Sequence, residues 1–311
     1  MDVQQYWHSV TLERDLCKGC TNCLKQCPTQ AIRVQGGKAK ILKERCIDCG
    51  ECIRVCPYHA KRAVVDNFEQ LQNYKYTVAL VAPAFYGQFS KTEDCNLILS
   101  SLLLLGFDHV YDVAKAAQEI SKMTRKLLVD GKILKPAISS ACPAVRRLIE
   151  VRFPSLIEHI IPLRAPMELA AESALHEAME KTGLKEEEIG IFFISPCAAK
   201  ATAVKTADIE NRSYVTGVLS LKDIYLVKSD FPNLGIKLSL PSEKVPAPPY
   251  PDKIRHGLQF LQSVLFLFIG QNLFFTLLPL SNIAIFIFLL LLINSYAANK
   301  PAGPAPIIIT S

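Results

Sequence analysis

No aspartate, glutamate, lysine or arginine occurs from Gly257 to Asn299. A stretch of 43 residues without a charge leaves no solvated face for an ordinary pair of surface helices. It holds two apolar runs, Leu258–Leu278 and Ile283–Tyr296, separated by Pro279-Leu280-Ser281-Asn282. The first is long enough to span a bilayer and the second is near the minimum, since a transmembrane helix needs about 20 residues. Lys253, Arg255 and His256 precede the first run and Lys300 follows the second. Positive flanks at both ends predict a helical hairpin with both ends cytoplasmic, anchoring the chain to the cytoplasmic membrane. Other absences exclude function classes. The net charge of +6 is not gathered into a basic stripe with interleaved aromatics, which argues against nucleic-acid binding. The first ten residues, MDVQQYWHSV, have no apolar signal-peptide core, so the N-terminus is expected in a reducing compartment where disulfides do not persist. No cysteine follows Cys197.

Cysteine is instead concentrated near the start. Eight of the eleven lie in residues 17–56, in two copies of one pattern. The first is Cys17-x-x-Cys20-x-x-Cys23-x-x-x-Cys27-Pro28, the second Cys46-x-x-Cys49-x-x-Cys52-x-x-x-Cys56-Pro57, with corresponding residues 29 apart. This is the spacing of a protein holding two [4Fe–4S] clusters, and it points to one-electron transfer. Structural zinc uses C-x-x-C pairs separated by a longer stretch, so three consecutive steps argue against it. Three cysteines at two-residue intervals let a short loop wrap three iron corners. The fourth, before proline, ligates the other cluster in two-cluster proteins. Cys17, Cys20, Cys23 and Cys56 are therefore assigned to cluster 1, and Cys46, Cys49, Cys52 and Cys27 to cluster 2. Between the copies, Ile32–Gln35 and Lys38–Ile41 alternate apolar and polar residues around Gly36-Gly37, a hairpin signal. Gly19, Thr21, Asn22 and Gly50 let backbone N–H groups approach cluster sulfurs.

At 311 residues the chain has room for two or three domains. Residues 1–66 form the two-cluster unit, and 67–76 read as a polar connector opening a second domain that runs to 230. Residues 231–256 are a proline-rich linker, 257–299 the hydrophobic hairpin and 300–311 a tail. In the second domain, strands are expected at Thr77–Ala82, His109–Val113, Pro136–Ser140 and Gly190–Ser195, and Met167–Ala178 has helical period. Strands alternating with helices predict an α/β domain with a mostly parallel sheet. Cys142, in Ser139-Ser140-Ala141-Cys142-Pro143, and Cys197, in Pro196-Cys197-Ala198-Ala199-Lys200, each follow a predicted strand, where open α/β sheets place ligands. Cys95 reads as structural. The six histidines (His8, His59, His109, His159, His176, His256) show no ligand spacing and read as surface or core. Glu186-Glu187-Glu188 reads as a helix start or solvated face.

Together, residues 10–228 resemble the iron-only ([FeFe]) hydrogenases. In that family a two-cluster ferredoxin-like region feeds a catalytic domain holding the H-cluster, a cubane bonded to a di-iron centre. Ala82-Pro83-Ala84 is similar to the family's early active-site segment. The resemblance implies Cys142 and Cys197 as cubane ligands, and Lys200 as the lysine facing a cyanide of the di-iron centre. The sequence departs from the family at two places. Ala141 stands where the best-known members carry a proton-relaying cysteine. The third motif, which supplies a glutamate, further cysteines and several glycines, is absent. The implied fold is an α+β ferredoxin-like two-cluster domain, then an α/β hydrogenase-like domain, then the C-terminal hairpin. The implied function is iron–sulfur electron transfer with a redox partner protein, the H-cluster being incomplete. A hydrogenase completed by another subunit and a redox or hydrogen sensor are the alternatives. Two origins fit residues 228–311: a frameshift or truncation with the apolar tail as by-product, or a membrane-tethered relic.

Overall fold

The structure is a computed structural model that describes residues 7–87, 95–207 and 212–224. The proline-rich linker, the hydrophobic hairpin and the tail lie outside the described residues. Among the described residues no helix is long and apolar enough to cross a membrane.

The N-terminal unit is built from β1 (Val10–Leu12), α1 (Asn22–Lys25), β2 (Ile32–Gln35), β3 (Lys38–Ile41), α2 (Glu51–Arg54) and β4 (Lys61–Ala63). Both sheets are antiparallel pairs, β1 with β4 and β2 with β3. The β2–β3 turn pairs Gln35 with Lys38 and places Gly36 and Gly37 at φ +57° and +69°. A two-residue turn with both central φ values positive suits the right-handed twist of its strands and favours glycine. The sequence repeat is also a backbone repeat. Left-handed residues recur 29 apart, as Gly19 and Asp48, Thr21 and Gly50, and Gln30 and His59. Gly19 has a further reason to lack a side chain, since a Cβ there would lie 2.5 Å from the Gly37 carbonyl oxygen.

The second unit opens with β5 (Tyr76–Val81), followed by α3 (Pro83–Tyr86), α4 (Cys95–Leu104), β6 (His109–Asp112), α5 (Val113–Val129), α6 (Pro143–Arg152), α7 (Pro166–Thr182), β7 (Ile189–Ser195), α8 (Ala198–Lys205) and β8 (Gly217–Ser220). Its four strands are parallel in the order β6-β5-β7-β8. Alternation along β5 and β7 divides the core between two faces. Val78, Leu80, Ile191 and Phe193 pack with α5 and α7 residues, while Ala79, Val81, Phe192 and Ile194 pack with Phe85 and α4. Each fully buried Val, Leu, Ile or Phe contributes roughly 1.5–3 kcal/mol. Helix α7 starts at Pro166, and its stop is Gly183 at φ +70°, whose N–H donates to Met179 O at 2.8 Å. Its sheet-facing stripe is Met167, Ala170, Ala171, Ala174, Leu175 and Ala178. Small alanines let this helix lie close to the strands.

Two expectations need correcting. Pro136–Ser140 does not form a strand. It makes a single bridge, Ile138 to Ile160, through Ile138 N–H to His159 O (2.9 Å) and Ile161 N–H to Ile138 O (2.8 Å). Pro136 has no N–H to offer, and Ser140 Oγ then donates to Leu163 O (2.5 Å), which turns the chain. Conversely β8 was not expected, because its four residues open on glycine and are too short to show a period. The connector at 67–76 holds a 3-10 turn, Phe68–Asn73, with Leu71 buried.

The two units are joined by specific bonds. Ser9 Oγ donates to Ala198 O (2.8 Å), and Ser9 N–H donates to Thr202 Oγ1 (3.2 Å) on α8. Asp66 receives Val218 N–H (2.8 Å) and pairs with Lys205 (2.8 Å).

Candidate metal centres

Four thiols line each of two separate voids in the N-terminal unit. Cys17, Cys20, Cys23 and Cys56 face the first; Cys27, Cys46, Cys49 and Cys52 face the second. Each void thus takes three cysteines from one repeat and its fourth from the other. The backbone explains the exchange. In each copy a left-handed residue starts a one-turn helix carrying the third cysteine, and the chain then leaves through Cys-Pro toward the neighbouring void. After that exit the peptide folds back on its own sulfur. Ala31 N–H donates to Cys27 Sγ (3.2 Å), and 29 residues on Ala60 N–H donates to Cys56 Sγ (3.3 Å). Ala39 N–H donates to Cys17 Sγ (3.4 Å). Such N–H···S bonds favour the anionic sulfur a metal requires.

The two sites differ electrically. Cys20 is exposed, so the first void reaches the surface. Burial works to raise Cys17, but hydrogen bonds from the Ala39 and Gly19 backbone and the charges of Lys38 and Lys61 outweigh it and leave its pKa below the ordinary thiol value. Around the second void burial dominates. It pushes Cys49 and Cys52 up to about 12. Cys46 is pushed higher still, by burial and then by the Asp48 carboxylate. Desolvated thiols crowded around one space are what metal binding would relieve, by exchanging protons for iron. The donor set, four soft sulfurs per void with backbone N–H support, fits a cubane in each.

His8, read as surface or core, is buried, and its Nδ1 lies 2.7 Å from Asp48 Oδ2. Asp48 Oδ1 receives Val10 N–H (3.0 Å) and lies 3.8 Å from Cys46 Sγ. These three side chains are close enough to hold one ion, but Cys46 already belongs to the second void. Sequence reasoning missed His8–Asp48 because the partners are 40 residues apart. Aligning the repeats position by position would have exposed Asp48 standing where the first copy has Gly19.

In the second unit, the strand order reverses between β5 and β7, the switch point at which open α/β sheets bind ligands. Ala82-Pro83-Ala84 leaves β5 there, and Cys197 follows β7 as the N-cap of α8. Cys142 is the N-cap of α6. Burial of its thiol raises Cys142 above the ordinary thiol value, and the nearby Cys197 raises it further. Lys200 Nζ donates to Ala141 O (2.9 Å). Cys142, Cys197 and Lys200 are thus brought together, with Ala141 between them. Cys95 opens α4. Two thiols do not close a four-cornered cluster, and no cysteine follows Cys197, so these residues alone do not fit an H-cluster.

The two units meet at the second void. Ile47, beside Cys46, packs on Leu148 of α6, with Cys49 and Phe153 at the margin.

Comparisons with known proteins agree with this division. Residues 9–57 match a 4Fe-4S dicluster domain, and residues 75–248 match the iron only hydrogenase large subunit, C-terminal domain. The periplasmic [Fe] hydrogenase large subunit of Nitratidesulfovibrio vulgaris is 29% identical over 212 residues, 62% of this chain and 50% of that protein. The NADP-reducing hydrogenase subunit HndD of Solidesulfovibrio fructosivorans is 24% identical over 110 residues, 32% of this chain and 19% of that protein. The chain therefore spans half or less of the length of these curated relatives. Among solved structures, apo [FeFe]-hydrogenase HydA1 from Chlamydomonas reinhardtii, variant C377H, aligns with 21% identity and TM-score 0.43 over 53% of this chain and 44% of that one. The hydrogenase profile alone covers more than half of the sequence, and the chain belongs to the iron only hydrogenase large subunit family, carrying a 4Fe-4S dicluster domain ahead of the hydrogenase domain.

Proposed function

We propose that this protein is an iron–sulfur electron carrier in which residues 1–66 form a ferredoxin-type domain and residues 67–230 an incomplete hydrogenase-like domain. Cys17, Cys20, Cys23 and Cys56 hold the first cluster, and Cys27, Cys46, Cys49 and Cys52 the second. The observation that carries this reading is the pair of voids, each lined by four thiols in the 3 + 1 exchange. Each bound cluster would supply a one-electron couple. The protein's own residues set the route. Exposed Cys20 opens the first site to a redox partner protein, and the contact of Ile47 with Leu148 puts the second site against α6, whose N-cap is Cys142. The reducing chemistry of the sites suits a cytoplasmic location, with the apolar C-terminal runs as a membrane anchor. Anaerobically reconstituted protein is expected to bind about eight irons and to give reduced-cluster EPR signals. Zinc in place of iron, with no EPR signal on reduction, would sink the reading.

A second reading is an active hydrogenase whose missing ligands come from another subunit. The convergence of Cys142, Cys197 and Lys200 at the switch point favours it. Hydrogen evolution from a reduced dye, after maturation with the di-iron assembly machinery and the candidate subunit, is its test. Absence of turnover with both N-terminal clusters intact would count against it.

A further inference from the structure

Lys61 opens β4, opposite Leu12 of β1, and only 2% of it is exposed. Its Nζ has no hydrogen-bond partner and forms no ion pair among the described residues. The side chain lines the first void beside Cys17, Cys20, Cys23 and Cys56. Desolvating an ammonium without a counter-charge is costly, and a protein keeps one only where something offsets it. The repeat shows that packing does not require it. The residue 29 positions earlier is Ile32, which opens β2 and is also 2% exposed. The fold thus accepts an aliphatic side chain at this place in one copy and carries a cation in the other.

What offsets the ammonium is the negative charge of the thiolate-bound cluster. Burial pushes Cys23 and Cys52 up, and Lys61 is the largest influence in the opposite direction on both. Cys23 faces the first void and Cys52 the second, so the cation sits where the two sites approach each other while lining only the first. The second site carries the opposite departure from the repeat, Asp48 in place of Gly19, with a carboxylate oxygen 3.8 Å from Cys46 Sγ. One site has gained a positive charge and the other a negative one.

Resting on the two-cluster reading above, we infer that Lys61 is a potential-setting residue: its buried ammonium stabilises the more negative, reduced form of the first cluster and makes that cluster the preferred resting place of an electron. An electron entering at exposed Cys20 would be held at the first site, and transfer toward α6 would run against the gradient. One leaving the hydrogenase-like domain would run with it. The site therefore favours outward flow and storage near the surface.

The test is a redox titration of the full chain, followed by EPR, in Lys61→Ile, Lys61→Met and Lys61→Arg. The isoleucine variant copies the first repeat. In it, the higher of the two potentials should fall so that the reduced-to-oxidised ratio at fixed potential drops at least tenfold, about 59 mV for a one-electron couple. Lys61→Met should do the same and Lys61→Arg should keep most of the wild-type value, with iron content unchanged in all three. Unchanged potentials in iron-replete Ile and Met variants would overturn the inference, as would loss of clusters from both, which would make Lys61 a structural requirement. Failure of the wild type itself to hold two clusters would instead overturn the two-cluster reading.

Discussion

Replacing Cys56 with serine should destroy the first cluster and spare the second, although Cys56 lies in the second repeat. Its thiol faces the same void as Cys17, Cys20 and Cys23, while Cys27 faces Cys46, Cys49 and Cys52. The change is local, since a serine hydroxyl can still accept the Ala60 N–H that now reaches Cys56 Sγ at 3.3 Å, a bond worth about 1 kcal/mol. What is lost is one iron corner of four. Iron should fall from about eight to about four per chain, and the two overlapping reduced signals should give way to one. Two reference variants make the assignment. The residual EPR spectrum of Cys56→Ser should coincide with that of Cys20→Ser and differ from that of Cys49→Ser. Coincidence with Cys49→Ser instead would mean that each repeat holds its own cluster, and the exchange would be wrong.

Three other outcomes follow from the fold. Phe192→Ala should destabilise the hydrogenase-like unit by about 3–5 kcal/mol in denaturant unfolding, because the ring is fully buried and meets Tyr74 and Phe107 edge-on at 5.8 and 6.4 Å; a loss below about 1 kcal/mol would contradict that packing. Gly19→Ala should lower iron retention at the first site before the second, since its Cβ would meet the Gly37 carbonyl oxygen at 2.5 Å in a left-handed backbone; equal loss from both sites would show that the close approach is not local. His109 is held below the ordinary histidine value by burial and then by Lys181 and Lys115. Between that lowered value and about 6.5 the unfolded chain binds a proton that the folded one does not, so stability should fall as pH drops below about 6.5. His109→Gln should flatten the profile, and an unaltered slope would exclude this residue as its source.

The parts of the fold legible in the sequence were those with a strong local signal. Three of the four predicted strands formed, at Tyr76–Val81, His109–Asp112 and Ile189–Ser195; the first and third are continuous apolar runs of the kind that suits strands covered on both faces, while the second is the shorter, more polar edge strand. The fourth failed at Pro136, where a missing N–H and two serines bonding to backbone outweighed the β-branched content. Helix α7 was visible through its alanine period over Met167–Ala178, within the observed Pro166–Thr182. The grouping of the eight cysteines was drawn from their spacing together with the exchange of the fourth cysteine known for two-cluster ferredoxins, and the two voids are lined by four thiols each. Cys142 and Cys197 could each be placed after a predicted strand, which holds for Cys197 behind β7 but not for Cys142, and their positions as N-caps of α6 and α8 were not anticipated. His8–Asp48 and the buried Lys61 were out of reach, since both depend on long-range contacts and neither residue type is unusual where it stands.

The trading of one sulfur between repeats bears on biosynthesis. Because the earlier void borrows Cys56, the last of the eight to leave the ribosome, neither cage can be completed on a nascent chain that stops at Cys27, and the earlier cage stays open even on one that stops at Cys52. The later cage can therefore be loaded first, while the earlier one must wait for the whole opening segment, and splitting the gene between the copies would yield two halves, each one ligand short.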